Sequence, residues 1–216
     1  MKVTLVDYSV NNILNVYRAF EYLGVDVQIT NLPSQIKKAD YLVLPGVGAF
    51  HAGMSSLQKL DLIEPVLQHA NVGKPLLGIC LGMQMLLDSS QEFGFHNGLG
   101  LIGGTNEPII PKNSRKSTHI GWSELETLDG SAAWDHNNIL SGINVRTPMY
   151  FVHSFVARLT DPKCLLAQTG YYDVKISAVI MKENIYGCQF HPEKSGPYGL
   201  KVLLNFLKIV IMEQIK

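Results

Sequence analysis

A cysteine set between two glycines is the side chain in this chain best placed to act as a nucleophile. Cys80 lies in the segment 78–82 (GICLG), after the apolar run 75–77 and before a helical-looking stretch, 83–87. This order of strand, sharp turn and helix is that of a nucleophile elbow, with sulfur replacing the usual serine oxygen. Flanking glycines allow the turn because they lack Cβ atoms. On the elbow alone, a buried structural cysteine remains an alternative, since free cysteines are among the most buried residues.

A histidine and a glutamate far along the chain could complete the chemistry. His191 and Glu193 flank Pro192 at the end of an apolar stretch. In an extended chain their side chains point the same way, and the proline restricts the local backbone. A free thiol has a pKa of about 8.5, and a helix N-terminus contributes only about 0.3–1 kcal/mol toward the thiolate. We therefore expect His191 to act as base and acid for Cys80, with Glu193 orienting the imidazole.

Attack of a thiolate on a carbonyl also needs hydrogen-bond donors for the oxyanion. The elbow geometry offers the backbone N–H of Leu81, and the turn 45–49 (PGVGA) offers Val47 and Gly48. Each such donor contributes about 2.7–4 kcal/mol in a transition state. An ordinary turn between a strand and a helix is the alternative for 45–49. A phosphate-binding loop is excluded, because its glycine and lysine spacing is absent.

Composition excludes several classes of function. The chain has 216 residues, 46% of them apolar, which fits one α/β domain over 1–216. Lysines and arginines number 18, and so do aspartates and glutamates, so there is no basic footprint for nucleic acid. No apolar run reaches the roughly 18 residues that span a bilayer, and the first residues form a strand and not a signal peptide. Three widely spaced cysteines, Cys80, Cys164 and Cys188, exclude a disulfide framework and any Cys-x-x-Cys metal or redox pair. The expected compartment is therefore a reducing cytoplasm.

The order of predicted elements indicates the fold class. Strands are predicted at 3–6, 25–29, 41–44 and 76–79, alternating with helices at 12–23 and 54–70. Short, continuously apolar strands between helices indicate a parallel sheet covered on both faces. Shorter β-like pieces follow at 149–152, 165–169, 176–180 and 185–190, before a closing helix at 198–215. The expected fold is α/β, an open and mostly parallel central sheet flanked by helices, with a mixed or antiparallel sheet extension in the second half.

Together, these motifs resemble those of the class I, or triad, glutamine amidotransferases, and the resemblance spans nearly the whole chain. It rests on 78–84 (GICLGMQ), 189–193 (QFHPE) and 45–48 (PGVG). Five further motifs are similar to the glutaminase subunits of imidazole glycerol phosphate synthases: 7–8 (DY), 46–50 (GVGAF), 119–122 (HIGW), 150–154 (YFVHS) and 191–196 (HPEKSG).

The resemblance implies a reaction and a partner. L-glutamine would be hydrolysed to glutamate through a thioester on Cys80, without a cofactor. Ammonia would pass to a separate (β/α)8 cyclase subunit in a heterodimer. There it would react with a phosphorylated ribulosyl precursor to give imidazole glycerol phosphate and an aminoimidazole carboxamide ribotide, a step of histidine biosynthesis.

The resemblance also implies roles for individual residues. Gln84 would hold the substrate, and Glu92 would bind its amino group. The segment His153, Ser154 and Phe155 would hold its α-carboxylate through backbone and hydroxyl. The ammonia exit and partner interface would comprise Trp122, Tyr150, Lys194, Asn11 and Asn12. Plain core or interface packing is the alternative for Trp122 and Tyr150.

Departures from the family pattern leave other functions open. Ser9 and Asn11 stand where glycines are usual, and Thr118 stands where proline is frequent. These changes concern the partner-facing mouth, so one alternative is the same glutaminase chemistry feeding an amidotransferase of nucleotide-linked sugars. A stand-alone cysteine hydrolase is another, although Gln84 and the exit residues argue against it. A non-catalytic protein with a decayed site would require loss of triad residues that are present.

Overall fold

Strands and helices alternate in the first part of the chain, and strands predominate in the second. The computed structural model describes residues 2–9, 11–134 and 138–213. The strands are β1 (Lys2–Val6), β2 (Asp26–Thr30), β3 (Tyr41–Leu44), β4 (Leu76–Ile79), β5 (Leu87–Ser90), β6 (His96–Asn97), β7 (Ile102–Pro108), β8 (His119–Glu124), β9 (Pro148–His153), β10 (Phe155–Leu159), β11 (Leu165–Tyr171), β12 (Val174–Lys182) and β13 (Ile185–Cys188). The helices are α1 (Ile13–Tyr22), α2 (Pro33–Lys38), α3 (Phe50–Lys59), α4 (Ile63–Asn71), α5 (Leu81–Met85) and α6 (Gly196–Glu213).

The largest sheet confirms the predicted parallel architecture. Its order is β11-β12-β13-β4-β3-β1-β2, and its neighbours from β13 to β2 pair in parallel. Alternate side chains of β3 enter opposite cores, because successive side chains of a strand point to opposite faces. Val43 joins one buried cluster, whereas Leu42 and Leu44 join the other. Both faces of the sheet are therefore covered by apolar side chains.

The predicted extension in the second half is also present, but it is divided among three sheets. Strands β12 and β11 continue the large sheet in antiparallel pairing. Strands β10, β7, β5 and β6 form a separate mixed sheet, and β8 pairs with β9 alone. The hairpin between β12 and β13 turns at Glu183, whose φ of 53° is typical of a tight turn.

Two helical predictions were wrong in extent. The predicted helix at 54–70 is two helices, α3 and α4, because the chain turns at Asp61 with a φ of 55° that no α-helix continues through. The helix after the elbow ends at Met85 and not at Leu87, where β5 begins. Helix α2 was not predicted. The closing helix is confirmed as far as Glu213, and 214–216 lie outside the described residues.

Three neighbouring strands of the large sheet deliver the candidate residues to one edge. Strand β4 ends at Ile79 directly before Cys80, β3 ends directly before Pro45, and β13 ends three residues before His191. Because these strands are parallel and adjacent, their carboxyl ends meet where open α/β sheets hold their sites. No helix among the described residues is long and apolar enough to cross a membrane.

Candidate active site

The backbone at Cys80 is held in a conformation that non-glycine residues rarely adopt. Its φ is 52° and its ψ is −106°. The Cys80 N–H donates to the Cys188 carbonyl oxygen at 2.7 Å, and the Cys80 carbonyl accepts from the Gln84 N–H at 3.0 Å. Such a conformation costs about 1–3 kcal/mol and persists only where surrounding contacts enforce it. Strand β13 and helix α5 supply those contacts, so the sequence folds locally as the predicted elbow.

Close backbone approach explains the two glycines around this cysteine. A Cβ on Gly78 would lie 2.6 Å from the carbonyl carbon of Gly82 and the nitrogen of Met83. A Cβ on Gly82 would overlap the carbonyl oxygen of Leu44 on β3. Neither site accommodates a side chain, because the obstructing atoms are backbone. Helix α5 can therefore begin directly above the ends of β3 and β4.

His191 and Glu193 meet through a side-chain hydrogen bond of 2.7 Å between Nδ1 and Oε1, and both side chains are fully buried. The expectation that they align in extended chain was wrong. Pro192–Lys194 forms a 3-10 helical turn, and the two side chains meet across it. Among the described residues, Nε2 of His191 has no hydrogen-bond partner of normal geometry, which leaves it available to a reacting group.

The electrostatics of this pair favour the imidazolium. Burial lowers the pKa of His191, but the Cys80 sulfur and the Glu193 carboxylate raise it more strongly, and the resulting pKa is about 9. A positively charged imidazole beside the sulfur is the arrangement that converts a thiol to a nucleophilic thiolate. Asn12 also donates to Oε1 of Glu193, at 2.6 Å. The structure therefore brings Asn12, which was predicted at the partner interface, onto the carboxylate itself.

A cavity of about 260 Å³ opens at the cysteine. Most of the residues predicted to bind the substrate or the oxyanion line this cavity. Thr118 and Val152 also line it, although neither was predicted to bind substrate. The lining comprises Val47, Gly48, Cys80, Gln84, Glu92, Thr118, Val152, His153, Ser154 and Phe155. A larger cavity of about 550 Å³ lies beside Glu126 and Arg146 and contains none of these residues. The smaller cavity is the candidate active site, because it alone of the two contains the nucleophile.

Polar side chains around the cavity bond to one another and to backbone. The Gln84 amide donates to Oε1 of Gln189 at 3.1 Å and to the Phe155 carbonyl at 3.3 Å. Nε2 of Gln189 lies 3.7 Å from the Cys80 sulfur. The sequence pattern identified Gln189 only as part of the motif 189–193. Its position two residues before His191, directly after β13, is the signal that could have identified it.

Glu92 follows strand β5 in the chain, and its side chain reaches the N-terminus of helix α3. Its Oε2 accepts from the Phe50 N–H at 2.6 Å, a position that suits a carboxylate because a helix N-terminus carries partial positive charge. Ser154 hydrogen-bonds to Thr118 through their hydroxyl oxygens at 2.9 Å. Thr118 also lines the cavity. The sequence marked this residue only as a departure from a frequent proline.

The amide of Leu81 is not free in this structure, although it was expected to serve as an oxyanion donor. It donates to the carbonyl oxygen of Gly46 at 3.3 Å. The Tyr8 hydroxyl in turn donates to the carbonyl of Pro45, one residue earlier. Two carbonyls of the turn 45–49 are thereby held, and Gly48 adopts a φ of 126°. A rotation of the Gly46 carbonyl would be needed to release the Leu81 donor.

Three of the predicted exit residues, Trp122, Tyr150 and Lys194, form a cluster near the surface. The rings of Trp122 and Tyr150 meet edge to face with centroids 5.9 Å apart, and Lys194 Nζ lies 6.0 Å from the Tyr150 ring centroid. Trp122 is 57% exposed. The backbone N–H of His191 donates to the Tyr150 carbonyl oxygen at 2.9 Å, so a hydrogen bond joins this cluster directly to the candidate triad. Asn11 is exposed on the turn before α1.

Known proteins share extensive sequence similarity with this chain. The sequence model of the family described as "Glutamine amidotransferase class-I" matches residues 4–210. "Imidazole glycerol phosphate synthase subunit HisH 1" of Legionella pneumophila (strain Lens) is 50% identical over 211 residues, 96% of this chain and 99% of that protein. "Imidazole glycerol phosphate synthase subunit HisH" of Lactococcus lactis subsp. lactis (strain IL1403) is 42% identical over 207 residues, 96% and 98% of the two chains.

Two solved structures share the fold at low sequence identity. One, described as "Crystal structure of glutamine amidotransferase", superposes with a TM-score of 0.73 at 16% identity, covering 95% of this chain and 97% of that one. The other, "Structure of PurLQS from Thermotoga maritima", gives a TM-score of 0.71 at 19% identity, covering 97% and 98%. The family match over almost the whole chain identifies the protein: it belongs to the class I glutamine amidotransferases.

Proposed function

We propose that the chain, as a single domain over 1–216, is the glutaminase subunit of an imidazole glycerol phosphate synthase. The observation that carries the proposal is its likeness to relatives with that subunit name, at 50% identity over 96% of this chain and 99% of theirs. The position of Cys80 in the wall of a cavity, and the interaction of its sulfur with the buried imidazole of His191, support the chemistry. The proposed partner is a cyclase subunit that receives the ammonia.

The first half of the proposed reaction releases ammonia. The Cys80 sulfur attacks the side-chain amide carbon of glutamine, and the carbonyl oxygen becomes an oxyanion. His191, which the Glu193 carboxylate orients, donates a proton from Nε2 to the departing nitrogen as the carbon–nitrogen bond breaks. Ammonia leaves, and the glutamyl group remains as a thioester on the sulfur. A pKa of about 9 at His191 suits this step, because the imidazole holds the proton that must be transferred.

The second half regenerates the enzyme. His191, neutral after the first step, takes a proton from a water molecule as that water attacks the thioester carbon. The carbon–sulfur bond breaks, glutamate leaves, and Cys80 returns to its starting state with His191 again protonated. The same imidazole serves as acid and then as base, as microscopic reversibility requires of two related steps on one carbon. Neither step changes an oxidation state, so the proposed reaction needs no redox cofactor, and protein side chains alone supply the nucleophile and the proton transfers.

We assign substrate binding to the walls of the cavity. Gln84 would form a hydrogen bond with the reacting amide after its hydrogen bonds to Gln189 and Phe155 break. The Glu92 carboxylate would pair with the α-ammonium group, and the segment 153–155 would hold the α-carboxylate. The turn with Val47 and Gly48 would supply an oxyanion donor after the Gly46 carbonyl has turned away from Leu81. Trp122, Tyr150, Lys194, Asn11 and Asn12 would face the cyclase.

Co-expression with a (β/α)8 cyclase subunit tests the proposal. The expected result is a heterodimer that forms glutamate and imidazole glycerol phosphate in equal amounts from glutamine. Rapid glutamine hydrolysis without any partner would contradict the proposal and favour a stand-alone hydrolase. Co-purification with an amidotransferase of nucleotide-linked sugars, and none with the cyclase, would replace histidine biosynthesis with the sugar pathway.

A further inference from the structure

We infer that His119 is a positioning residue for the glutamine pocket, acting through His153 to fix the wall that receives the α-carboxylate. His119 does not line the cavity, yet a continuous series of hydrogen bonds joins it to Phe155, which does. The inference rests on the proposed function, because it assumes that the cavity binds glutamine. It predicts that loss of His119 weakens glutamine binding and leaves the reactivity of the cysteine nearly intact.

Three hydrogen bonds form the series. Nδ1 of His153 lies 2.8 Å from the Phe155 carbonyl oxygen, and Nε2 of His153 lies 3.0 Å from Nδ1 of His119. Nε2 of His119 lies 2.8 Å from the Ser123 hydroxyl oxygen. His119 is 2% exposed and His153 is 6% exposed. The series therefore runs from strand β8 to the first residue of β10 with little access to water.

Chemistry fixes the direction of every proton in the series. A carbonyl oxygen only accepts, so Nδ1 of His153 must donate and its Nε2, in the neutral ring, must accept. Nδ1 of His119 then donates, and Nε2 of His119 accepts from the Ser123 hydroxyl. Burial lowers the pKa of His153 to about 3 and that of His119 to about 4, which keeps both rings neutral near pH 7. A single proton arrangement is thereby imposed on the pair.

Ring stacking holds His119 in place. Its imidazole lies between Phe151, with centroids 4.8 Å apart and planes 17° apart, and Tyr171, with centroids 4.5 Å apart and planes 28° apart. A ring stacked on both faces cannot tilt freely, so its Nδ1–H points steadily at His153. Without that donor, Nε2 of His153 would become a buried acceptor with no partner, and its ring would be free to turn away from Phe155.

The atoms at the far end of the series belong to the pocket. The Phe155 carbonyl accepts from His153 and also from the Gln84 amide, and the Ser154 carbonyl accepts from the Ile109 N–H at 2.9 Å. The two peptide groups around Phe155 are therefore held by β9, by α5 and by the residue that follows β7. Their orientation decides where the N–H groups and the Ser154 hydroxyl lie, and these are the groups assigned to the substrate carboxylate. The Cys80 sulfur contacts other groups, the Val152 carbonyl oxygen at 3.8 Å and Nε2 of Gln189 at 3.7 Å, so we expect its reactivity to change little.

Two reagents separate binding from reactivity in the full chain bound to its cyclase subunit. Iodoacetamide enters the cavity and alkylates Cys80 without needing the groups that bind glutamine, whereas the glutamine analogue 6-diazo-5-oxo-L-norleucine must first be bound by them. We expect His119→Leu to slow labelling by the analogue about five- to tenfold, the value of one hydrogen bond, and to change alkylation by less than about twofold. In glutamine assays KM should rise by a similar factor, with kcat nearly constant.

Matched variants distinguish positioning from general destabilisation. His119→Asn can donate from Nδ2 where Nδ1 stood, so it should restore most of the analogue's labelling rate. His119→Gln keeps a polar side chain but moves its amide, and it provides a second disruptive variant if His119→Leu folds poorly. His69→Asn is the control, because His69 is another buried histidine, bonded through Nε2 to the Pro75 carbonyl at 2.9 Å. It should lower stability without changing the ratio of the two labelling rates.

An unchanged ratio in both His119→Leu and His119→Gln would overturn the inference. Equal loss of both labelling rates would also overturn it, because it would indicate a structural role only. If the wild-type cysteine reacts with iodoacetamide and the analogue never labels it, the proposed function fails before the positioning role is tested. Failure of the positioning role and failure of the proposed function therefore give different labelling results.

Discussion

Asn12 donates its side-chain amide to the same Oε1 atom of Glu193 that accepts from His191, at 2.6 Å and 2.7 Å respectively. Asn12 precedes helix α1 with a left-handed φ of 83°. Asn15, one turn into that helix, donates in turn to the Asn12 side-chain oxygen. The turn that was predicted to face the partner subunit is therefore part of the hydrogen-bonded unit that orients the imidazole.

Replacing Asn12 should lower turnover of glutamine more than it weakens binding. Asn12→Ala removes a hydrogen bond to a charged group, an interaction of about 1.5–3 kcal/mol, so we expect kcat to fall about tenfold or more. Asn12→Asp should be worse, since it sets a second carboxylate against Glu193. Steady-state kinetics of the complex would measure both. Asn144→Ala, which alters an exposed asparagine, is the control, and equal kinetics for all three variants would contradict the expectation.

Removing the nucleophile should separate the two activities of the complex. Cys80→Ala should abolish glutamine-dependent synthesis, because no thioester can form. Under the proposed function it should spare synthesis from added ammonium, because the partner subunit would use free ammonia. Product formation with each nitrogen source measures the difference. If a well-folded complex lost both activities, Cys80 would have a role beyond ammonia release.

The isolated chain should hydrolyse glutamine slowly. Its Leu81 N–H is occupied by the Gly46 carbonyl, and the absence of one oxyanion donor costs about a hundredfold to a thousandfold in kcat. We expect addition of the cyclase subunit to raise kcat by a factor of that order, with a smaller change in KM. Glutamate release, measured with and without the partner, tests this. Equal rates would show that the turn is already competent or that another donor suffices.

Stability should decline on both sides of neutrality for different histidines. His119 and His153 have folded-state pKa values of about 4 and about 3, below the usual 6.5. Below pH 6.5 these two histidines bind protons in the unfolded chain but remain neutral in the folded protein. The free energy of unfolding therefore falls by up to about 1.4 kcal/mol per pH unit for each histidine. His191, with a pKa of about 9, contributes stability that is complete below pH 6.5 and lost as pH rises through 9.

Urea denaturation from pH 5 to pH 9 would measure both limbs. His119→Asn should flatten the acid limb and leave the alkaline limb unchanged. His191→Asn should flatten the alkaline limb only. Parallel curves for wild type and both variants would show that other groups control the pH dependence.

Local patterns were enough to predict the parallel core and the triad candidates. Strands β3 and β4 match the expected bounds because their apolar runs are short and end at turn residues. The elbow was predictable because few residues other than glycine tolerate the approach that Gly78 and Gly82 make. The boundary between α3 and α4 was not predictable, since the apolar spacing continues through Asp61 and the left-handed turn there leaves no sequence signal.

Contacts between distant segments lay beyond sequence reasoning. The bond from Asn12 to Glu193 spans 181 positions, and the bond from Gln84 to Gln189 spans 105. The alignment of His191 with Glu193 was predicted by the wrong geometry, because a 3-10 turn places two nearby side chains together as effectively as a strand does. Engagement of Leu81 by Gly46 depends on how the turn at β3 closes over α5, which only the assembled sheet decides.

The hydrogen bond between the Leu81 amide and the Gly46 carbonyl would also affect how much glutamine the cell consumes. Under the proposed function, a copy that has no cyclase bound would leave glutamine intact. Unequal synthesis of the two gene products would then waste little of a metabolite on which many other pathways draw. Control over consumption would reside in the rotation of one peptide group, and matched expression of the two genes would not be required.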